Sequence, residues 1–251
     1  MEPWMLPNDG RRRRDVLRAT AAIGLAGIAG CLGGVGDGGS TTNSGDVLAN
    51  GDGTATPKGE TLSTHPAAAD LDTQPVRGPD PGEATATIIA FEDPSCSRCR
   101  TFEQNTVPKI QSDLVDSGTA AYVFRGYPVV YPWGEPASQA LESTFARDAS
   151  AFWALKDRYY AEQSTFRDAG PDGVLALTRD VLASETDVDA DAVVADAEAK
   201  AHNDAVQADL AAGEAAGASV TPSVFLFRDG RFVTKAQGSV GFPVIKNALG
   251  L

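Results

Sequence analysis

Thr87-Ile88-Ile89-Ala90-Phe91-Glu92-Asp93-Pro94-Ser95-Cys96-Ser97-Arg98-Cys99 runs from an apolar stretch straight into two thiols three positions apart. Thr85–Phe91 is β-rich and nearly continuous in apolar residues, the pattern of a central strand buried on both faces. A helix starting at Cys96 would aim its unpaired N–H groups and positive dipole end at that sulfur, which favours thiolate over thiol. Cys99 then falls one turn later on the same face, within reach of a mixed disulfide at Cys96. Arg98 adds a fixed positive charge and is the candidate for tuning the thiolate. A Cys-x-x-Cys pair also serves as half a zinc site or as a haem attachment point. Haem attachment needs His directly after the second cysteine, where Arg100 stands. A closed zinc site needs four ligands, and both histidines, His65 and His202, lie in polar stretches. The strand–helix context therefore points to redox chemistry, with no metal and no cofactor.

Upstream, residues 1–30 read as an export signal. Arg11 to Arg14 form a basic region, and Ala19 to Gly30 form an uncharged stretch too short to span a bilayer as a permanent helix. Arg13-Arg14-Asp15-Val16-Leu17-Arg18 resembles the twin-arginine export motif. Ile28-Ala29-Gly30-Cys31 resembles a lipobox, whose cysteine is lipidated and becomes the mature N-terminus. The chain has three cysteines. On this reading Cys31 carries lipid, Cys96 and Cys99 carry chemistry, and none is left for a structural disulfide. From 31 to 82 the composition is Gly, Ser, Thr, Asp, Ala and Pro with almost no bulky apolar residue, which predicts a disordered tether containing His65.

The formal net charge is −13, with only six lysines. Such a surface excludes a nucleic-acid partner, since phosphate binding needs the opposite sign. It resembles the acidic proteomes of salt-adapted organisms, halophilic archaea especially.

Residues 83–251 read as one α/β domain. Cys96 to about Ser117 is helical with a break at Pro108, and Ala120–Phe124 is a second buried strand. A helical insertion covers about 135–216, with Leu141, Phe145, Phe152, Leu155 and Tyr159 facing inward. Val193, Val194, Ala197, Ala201 and Leu210 form one side of its last stretch. Val224–Phe227 and Arg231–Thr234 flank Asp229-Gly230, a two-residue hairpin signal. A closing helix covers roughly Pro243–Leu249. Asp187 to Asp191 with Glu198 has the look of a calcium loop, but Ala192 stands where the sharp turn needs Gly, so a solvated acidic face is the better reading.

Phe91 to Glu103, Tyr122 to Pro128 and Gly217 to Phe225 resemble, in order, the active-site, second-strand and proline segments of DsbA-like thioredoxin-fold proteins. The resemblance implies a central mixed sheet with a helical insertion between the second and third core strands. It implies that Cys96 is an exposed nucleophile and Cys99 its buried resolving partner. It also implies a cis Thr221–Pro222 bond beside the pair, leaving the Thr221 backbone to bind an extended substrate. Two positions depart from the family pattern. The buried acid expected six residues before the first cysteine is Ala90, with Glu92 or Asp93 as substitutes, and the residue before the second cysteine is Arg98 rather than His.

These readings describe a monomeric, lipid-anchored, extracytoplasmic thiol–disulfide oxidoreductase acting on exported protein thiols or disulfides and reset by a membrane redox partner. The alternatives are a disulfide reductase of the same fold and a non-catalytic binding protein or copper chaperone using Cys96 and Cys99.

Overall fold

A computed structural model describes Val47–Leu48 and residues 59–251 of the chain. The export signal, Cys31 and most of the expected tether lie outside those residues. The elements, in chain order, are β1 (Val47–Leu48), β2 (Val76–Arg77), β3 (Ala86–Glu92), α1 (Ser97–Asn105), α2 (Val107–Ile110), β4 (Ala120–Gly126), α3 (Gly134–Phe145), α4 (Ala149–Ala161), α5 (Gln163–Glu185), α6 (Ala190–Ala199), α7 (Asn203–Ala215), β5 (Ser223–Arg228), β6 (Arg231–Gln237) and α8 (Phe242–Leu249). The strands form one six-stranded mixed sheet in the order β1-β6-β5-β3-β4-β2.

β3 is buried along its whole length because both flanks are paired and both faces are covered. It runs parallel to β4 and antiparallel to β5, with Ile89 opposite Val123 on one side and Phe225 on the other. Alternate residues of a strand face opposite sides. Ile88 and Ala90 pack with Phe102 of α1, Ile110 of α2 and Ile245 of α8. Ile89 and Phe91 pack on the other face with Ala67, Val123, Phe225 and Ala212 of α7. The chain reverses between β5 and β6 through Asp229 and Gly230, both with positive φ (48° and 71°), as the hairpin signal predicts.

The insertion between β4 and β5 builds its own core from Leu141, Phe152, Leu155, Tyr159, Phe166 and Leu182, and this core abuts Cys96 and Cys99. Phe145 is only partly buried against it. α5 is interrupted at Gly170 (φ 68°, ψ −176°), just before Pro171. Asp189, part of the calcium-like stretch, is spent as the cap of α6, accepting from the Ala192 N–H at 3.0 Å. In α7 the buried side carries Val206, Asp209 and Ala212, with Leu210 only partly buried and Ala201 exposed before the helix begins.

The expected tether to residue 82 is too long, because residues 60–82 belong to the fold. Pro66–Ala68 and Leu71–Thr73 form short 3-10 helices, and β2 pairs with β4 through Val76–Val123 and Arg77–Tyr122. His65 is buried rather than idle. Its ring packs within 5.4 Å of the ring centres of Phe225, Phe227 and Phe232, and its Nδ1 accepts from the Ala67 N–H at 3.0 Å. Small residues let this segment lie flat on the sheet. Its hold comes from backbone hydrogen bonds and one histidine, which a count of bulky apolar residues does not register.

Because β3 and β4 are parallel and β5 is antiparallel to β3, the exits of β3 and β4 and the entry to β5 share one end of the sheet. All the candidate redox residues of the folded domain gather there.

Candidate active site at the Cys96 turn

Cys96 caps α1 with an extended backbone (φ −80°, ψ 122°) and makes no side-chain cap bond, so the first-turn N–H groups remain free for its sulfur. Cys96 and Cys99 are both free thiols. The Cys96 Sγ donates to the Thr221 carbonyl at 3.4 Å, and the Thr221–Pro222 bond is cis. The proline loop is thus laid against the first sulfur. From the insertion, Gln163 at the start of α5 donates to the carbonyls of Pro94 (2.7 Å) and Cys96 (3.0 Å) and braces the turn from behind.

The two sulfurs differ sharply in their acidity. The Cys99 thiol, donating to Cys96, is the main reason that the Cys96 thiol is pulled down to about 6. The N–H groups of Cys99 and Arg98 reinforce this against the cost of burial. Cys99 is pushed well above the ordinary thiol range, first by burial, then by its hydrogen bond to Cys96 and the negative charge of Glu92. One sulfur is a ready thiolate and the other a reluctant one.

Two expectations are corrected. Cys96 exposes only 5% of its surface and Cys99 none, so "exposed" describes Cys96 only by contrast with its partner. The Thr221 carbonyl lies 3.4 Å from the Cys96 sulfur, and the core of the insertion packs against it. Arg98 acts on Cys96 through its backbone N–H, while its side chain is exposed.

Ala90 does leave the usual acid position empty, but Glu92 lies two residues further on and therefore on the same face of β3. It is fully buried. Its Oε1 accepts from the Tyr122 hydroxyl at 2.7 Å, and that hydroxyl also lies 3.2 Å from Oε1 of Glu103 on α1. Glu103 is paired with the buried Lys156 of α4 at 2.6 Å. One buried cation therefore faces the two buried carboxyls of Glu92 and Glu103, with the exposed Asp157 also 3.2 Å away. Burial, followed by repulsion from Glu103, holds Glu92 well above the usual carboxylate range. Asp93 points elsewhere: its carboxylate accepts from Ser95 and from the N–H groups of Val129 and Val130.

Sequence reasoning missed Tyr122, Glu103, Lys156 and Gln163. Lys156 did carry a signal, since it shares the inward spacing of Phe152, Leu155 and Tyr159 on an apolar helix face. Gln163 carried none, because its contact joins residues far apart in the chain.

The family model described as Thioredoxin matches residues 71–242, well over half of the chain. The chain belongs to the thioredoxin family. Among members of known name, a 90-residue stretch is 30% identical to "Disulfide bond formation protein D" of Bacillus subtilis, covering 36% of this chain and 40% of that protein. The chain thus spans about two fifths of the length of the relatives that it matches in sequence. In structure, the thioredoxin domain is similar to oxidised BdbD of Bacillus subtilis (TM-score 0.59, 20% identity), covering 72% of this chain and 96% of that one. It is similar to DsbA of Chlamydia trachomatis (TM-score 0.61, 19% identity), covering 74% of this chain and 93% of that one. The shared feature is the DsbA-like form of the thioredoxin fold, with helices inserted between β4 and β5.

Proposed function

We propose that this thioredoxin-family chain is a thiol–disulfide oxidoreductase that runs as an oxidant. The observation that carries the reading is the asymmetry of the two sulfurs: a Cys96 thiolate stabilised by fixed donors beside a buried, protonated Cys99. In the oxidised chain a partner thiolate attacks Cys96, forming a mixed disulfide and releasing the Cys99 sulfur, which takes a proton. Glu92, protonated nearby, is the donor for that step. A second partner thiol then loses its proton and attacks the partner's own sulfur, expelling Cys96 as thiolate. Two electrons and the disulfide are exchanged: the partner gains the S–S bond and the chain ends as a dithiol. A low thiolate value makes Cys96 a good leaving group and stabilises the reduced chain, which makes the oxidised chain a strong oxidant.

The same asymmetry weakens the copper-chaperone alternative, since a soft ion held by two sulfurs needs both as accessible thiolates. Thr221 and Pro222 are the substrate-facing residues in this reading, with the Thr221 backbone beside the reacting sulfur. The substrates are thiols of exported proteins, and a membrane-bound disulfide carrier takes the electrons back. The domain works outside the cytoplasm, held by lipid on Cys31. Among the described residues no helix is long and apolar enough to cross a membrane.

Equilibration with glutathione tests the direction. A potential well above thioredoxin's, towards about −120 mV, supports the oxidant, whereas a value near −270 mV assigns the chain as a reductase. Replacing Cys31 with Ala should release the protein from the membrane fraction, and retention of the variant there would overturn the lipid anchor.

A further inference from the structure

The chain passes from β3 to α1 through the turn Asp93-Pro94-Ser95-Cys96, closed by the Cys96 N–H donating to the Asp93 carbonyl at 3.0 Å. Pro94 suits the second position of such a turn, where its fixed φ is already correct. The closing bond leaves the N–H and C=O of the central peptide unpaired, so that unit is the loose part of the turn. Here both of its groups are taken. The Ser95 N–H donates to Oδ1 of Asp93 at 2.7 Å, and the Pro94 carbonyl accepts from Nε2 of Gln163 at 2.7 Å. The same nitrogen also donates to the Cys96 carbonyl at 3.0 Å. That carbonyl accepts the Arg100 N–H at 3.1 Å as well, the bond that opens α1. One amide group therefore ties the middle of the turn to the first acceptor of the helix.

The amide stands on a rigid frame. Gln163 is buried at the start of α5, and Phe166, three residues on, lies on the same side of that helix. The Phe166 ring stacks on Trp133 with centres 6.2 Å apart and meets the Tyr159 ring edge-on at 4.8 Å. Those aromatic rings belong to the core that abuts Cys96 and Cys99. The nearby acids have partners of their own: Glu92 accepts from Tyr122, and Asp93 accepts from Ser95, Val129 and Val130. An amide brings two N–H donors and no charge, so Gln163 orients the turn without forming an ion pair with the thiolate.

We propose that Gln163 is a positioning residue: it holds the Pro94 and Cys96 carbonyls so that the N–H groups of Arg98 and Cys99 stay aimed at the Cys96 sulfur. The helical insertion thereby sets how good a leaving group that sulfur is. The inference rests on the oxidoreductase reading, because leaving-group quality matters only if Cys96 is expelled from a mixed disulfide. Without the amide, two carbonyls lose a buried donor and the turn relaxes towards other partners. The first-turn N–H groups, which stabilise the Cys96 thiolate, then line up less well with the sulfur.

The test compares Gln163→Met, which keeps the length of the side chain without its donors, with Phe166→Leu, which loosens the same core but leaves the amide in place. The full chain of each is titrated by thiolate absorbance in its reduced form and equilibrated with glutathione at pH 7. Gln163→Met should raise the Cys96 midpoint from about 6 to about 7 and shift the glutathione equilibrium about fivefold towards the oxidised chain. Phe166→Leu should unfold at lower urea and move neither quantity. If Gln163→Met does not fold, Gln163→Glu decides the matter. Its carboxylate is close in shape, offers no donor when ionised and adds negative charge near the sulfur, so the midpoint should rise at least as far. An unmoved midpoint in the folded Gln163 variant, or an equal shift in Phe166→Leu, would overturn the positioning role. Wild type that does not exchange with glutathione at all would sink the oxidoreductase reading itself, a result distinct from an unmoved midpoint.

Discussion

Two clusters flank β4, each built round one fully buried cation, and on the Lys156 side the exposed Asp157 adds a further carboxylate at 3.2 Å. On the α1 side Lys156 meets Glu103, with Glu92 joined through Tyr122. On the α7 side Arg125 meets Asp209, with Glu142 close enough to repel it. The Arg125 guanidinium joins three partners: Nε donates to Asp209 at 2.8 Å with Nη2 2.7 Å from the same oxygen, and Nη1 donates to the carbonyls of Ala67 (3.1 Å) and Ala69 (2.6 Å). Asp209 also accepts the Gly126 N–H at 2.8 Å. A group that cannot lose its proton and that reaches both a carboxylate and two carbonyls fastens the N-terminal segment, β4 and α7 together. The Lys156 side is not closed in this way. Glu92 has one oxygen without a partner and lies within electrostatic reach of Cys99. One buried cation on each side of the sheet thus gives a lock on one side and a proton store on the other. What separates them is whether the surplus carboxyl neighbours a group that changes charge.

The comparison can be broken in several ways. The largest effect belongs to the site that the proton store serves: Cys96→Ser should remove exchange altogether, a loss above about 10³-fold, while Cys99→Ser should accumulate mixed disulfides visible by mass spectrometry. Next comes the lock. Arg125→Met leaves Asp209 buried without its cation and should cost about 3–5 kcal/mol in urea unfolding, with little change in the potential of the folded fraction. Glu92→Gln should do the reverse, costing little stability but slowing release of Cys99 about tenfold at pH 7 and flattening its pH dependence. Equal destabilisation by the two variants would erase the distinction between lock and store.

Two smaller effects concern pH. Cys96 thiolate absorbance in the reduced chain should titrate with a midpoint near pH 6. A thiol depressed in the folded state contributes stability fully above its ordinary value near 9, and that contribution is lost as pH falls through about 6. Reduced chain should therefore lose stability on acidification relative to Cys96→Ser. Glu142 has the opposite sign. Burial, followed by repulsion from Asp209, raises it to about 8, so its contribution is full below about 4.5 and lost as pH rises through 8. Glu142→Gln should be more stable than wild type at pH 9 and indistinguishable at pH 4.

Much of this architecture was legible in local sequence. The strand Thr85–Phe91, the cysteine turn, the Asp229-Gly230 hairpin and the inward face of α4 follow from spacing and turn chemistry, which act between residues a few positions apart. The three resembling segments placed Thr221 and Pro222 beside the thiols. The segment from residue 60 to 82 was misread because its hold is long-range: Arg125 grips its carbonyls, and three phenylalanines from β5 and β6 surround His65.

By itself, then, the sequence determined which residues could do chemistry and the local frame that presents them. Cys96 at a helix start and Cys99 one turn on are facts of spacing, and no tertiary contact is needed to predict them. Only the folded structure decided how the two sulfurs differ, that Glu92 is buried within electrostatic reach of Cys99, and that Asp93 accepts from the loop after β4 instead. The physical reason is that burial and opposing charge set acidity. Both depend on which side chains the sheet and the inserted helices bring within a few ångströms, and Tyr122, Glu103 and Lys156 come from three separate elements.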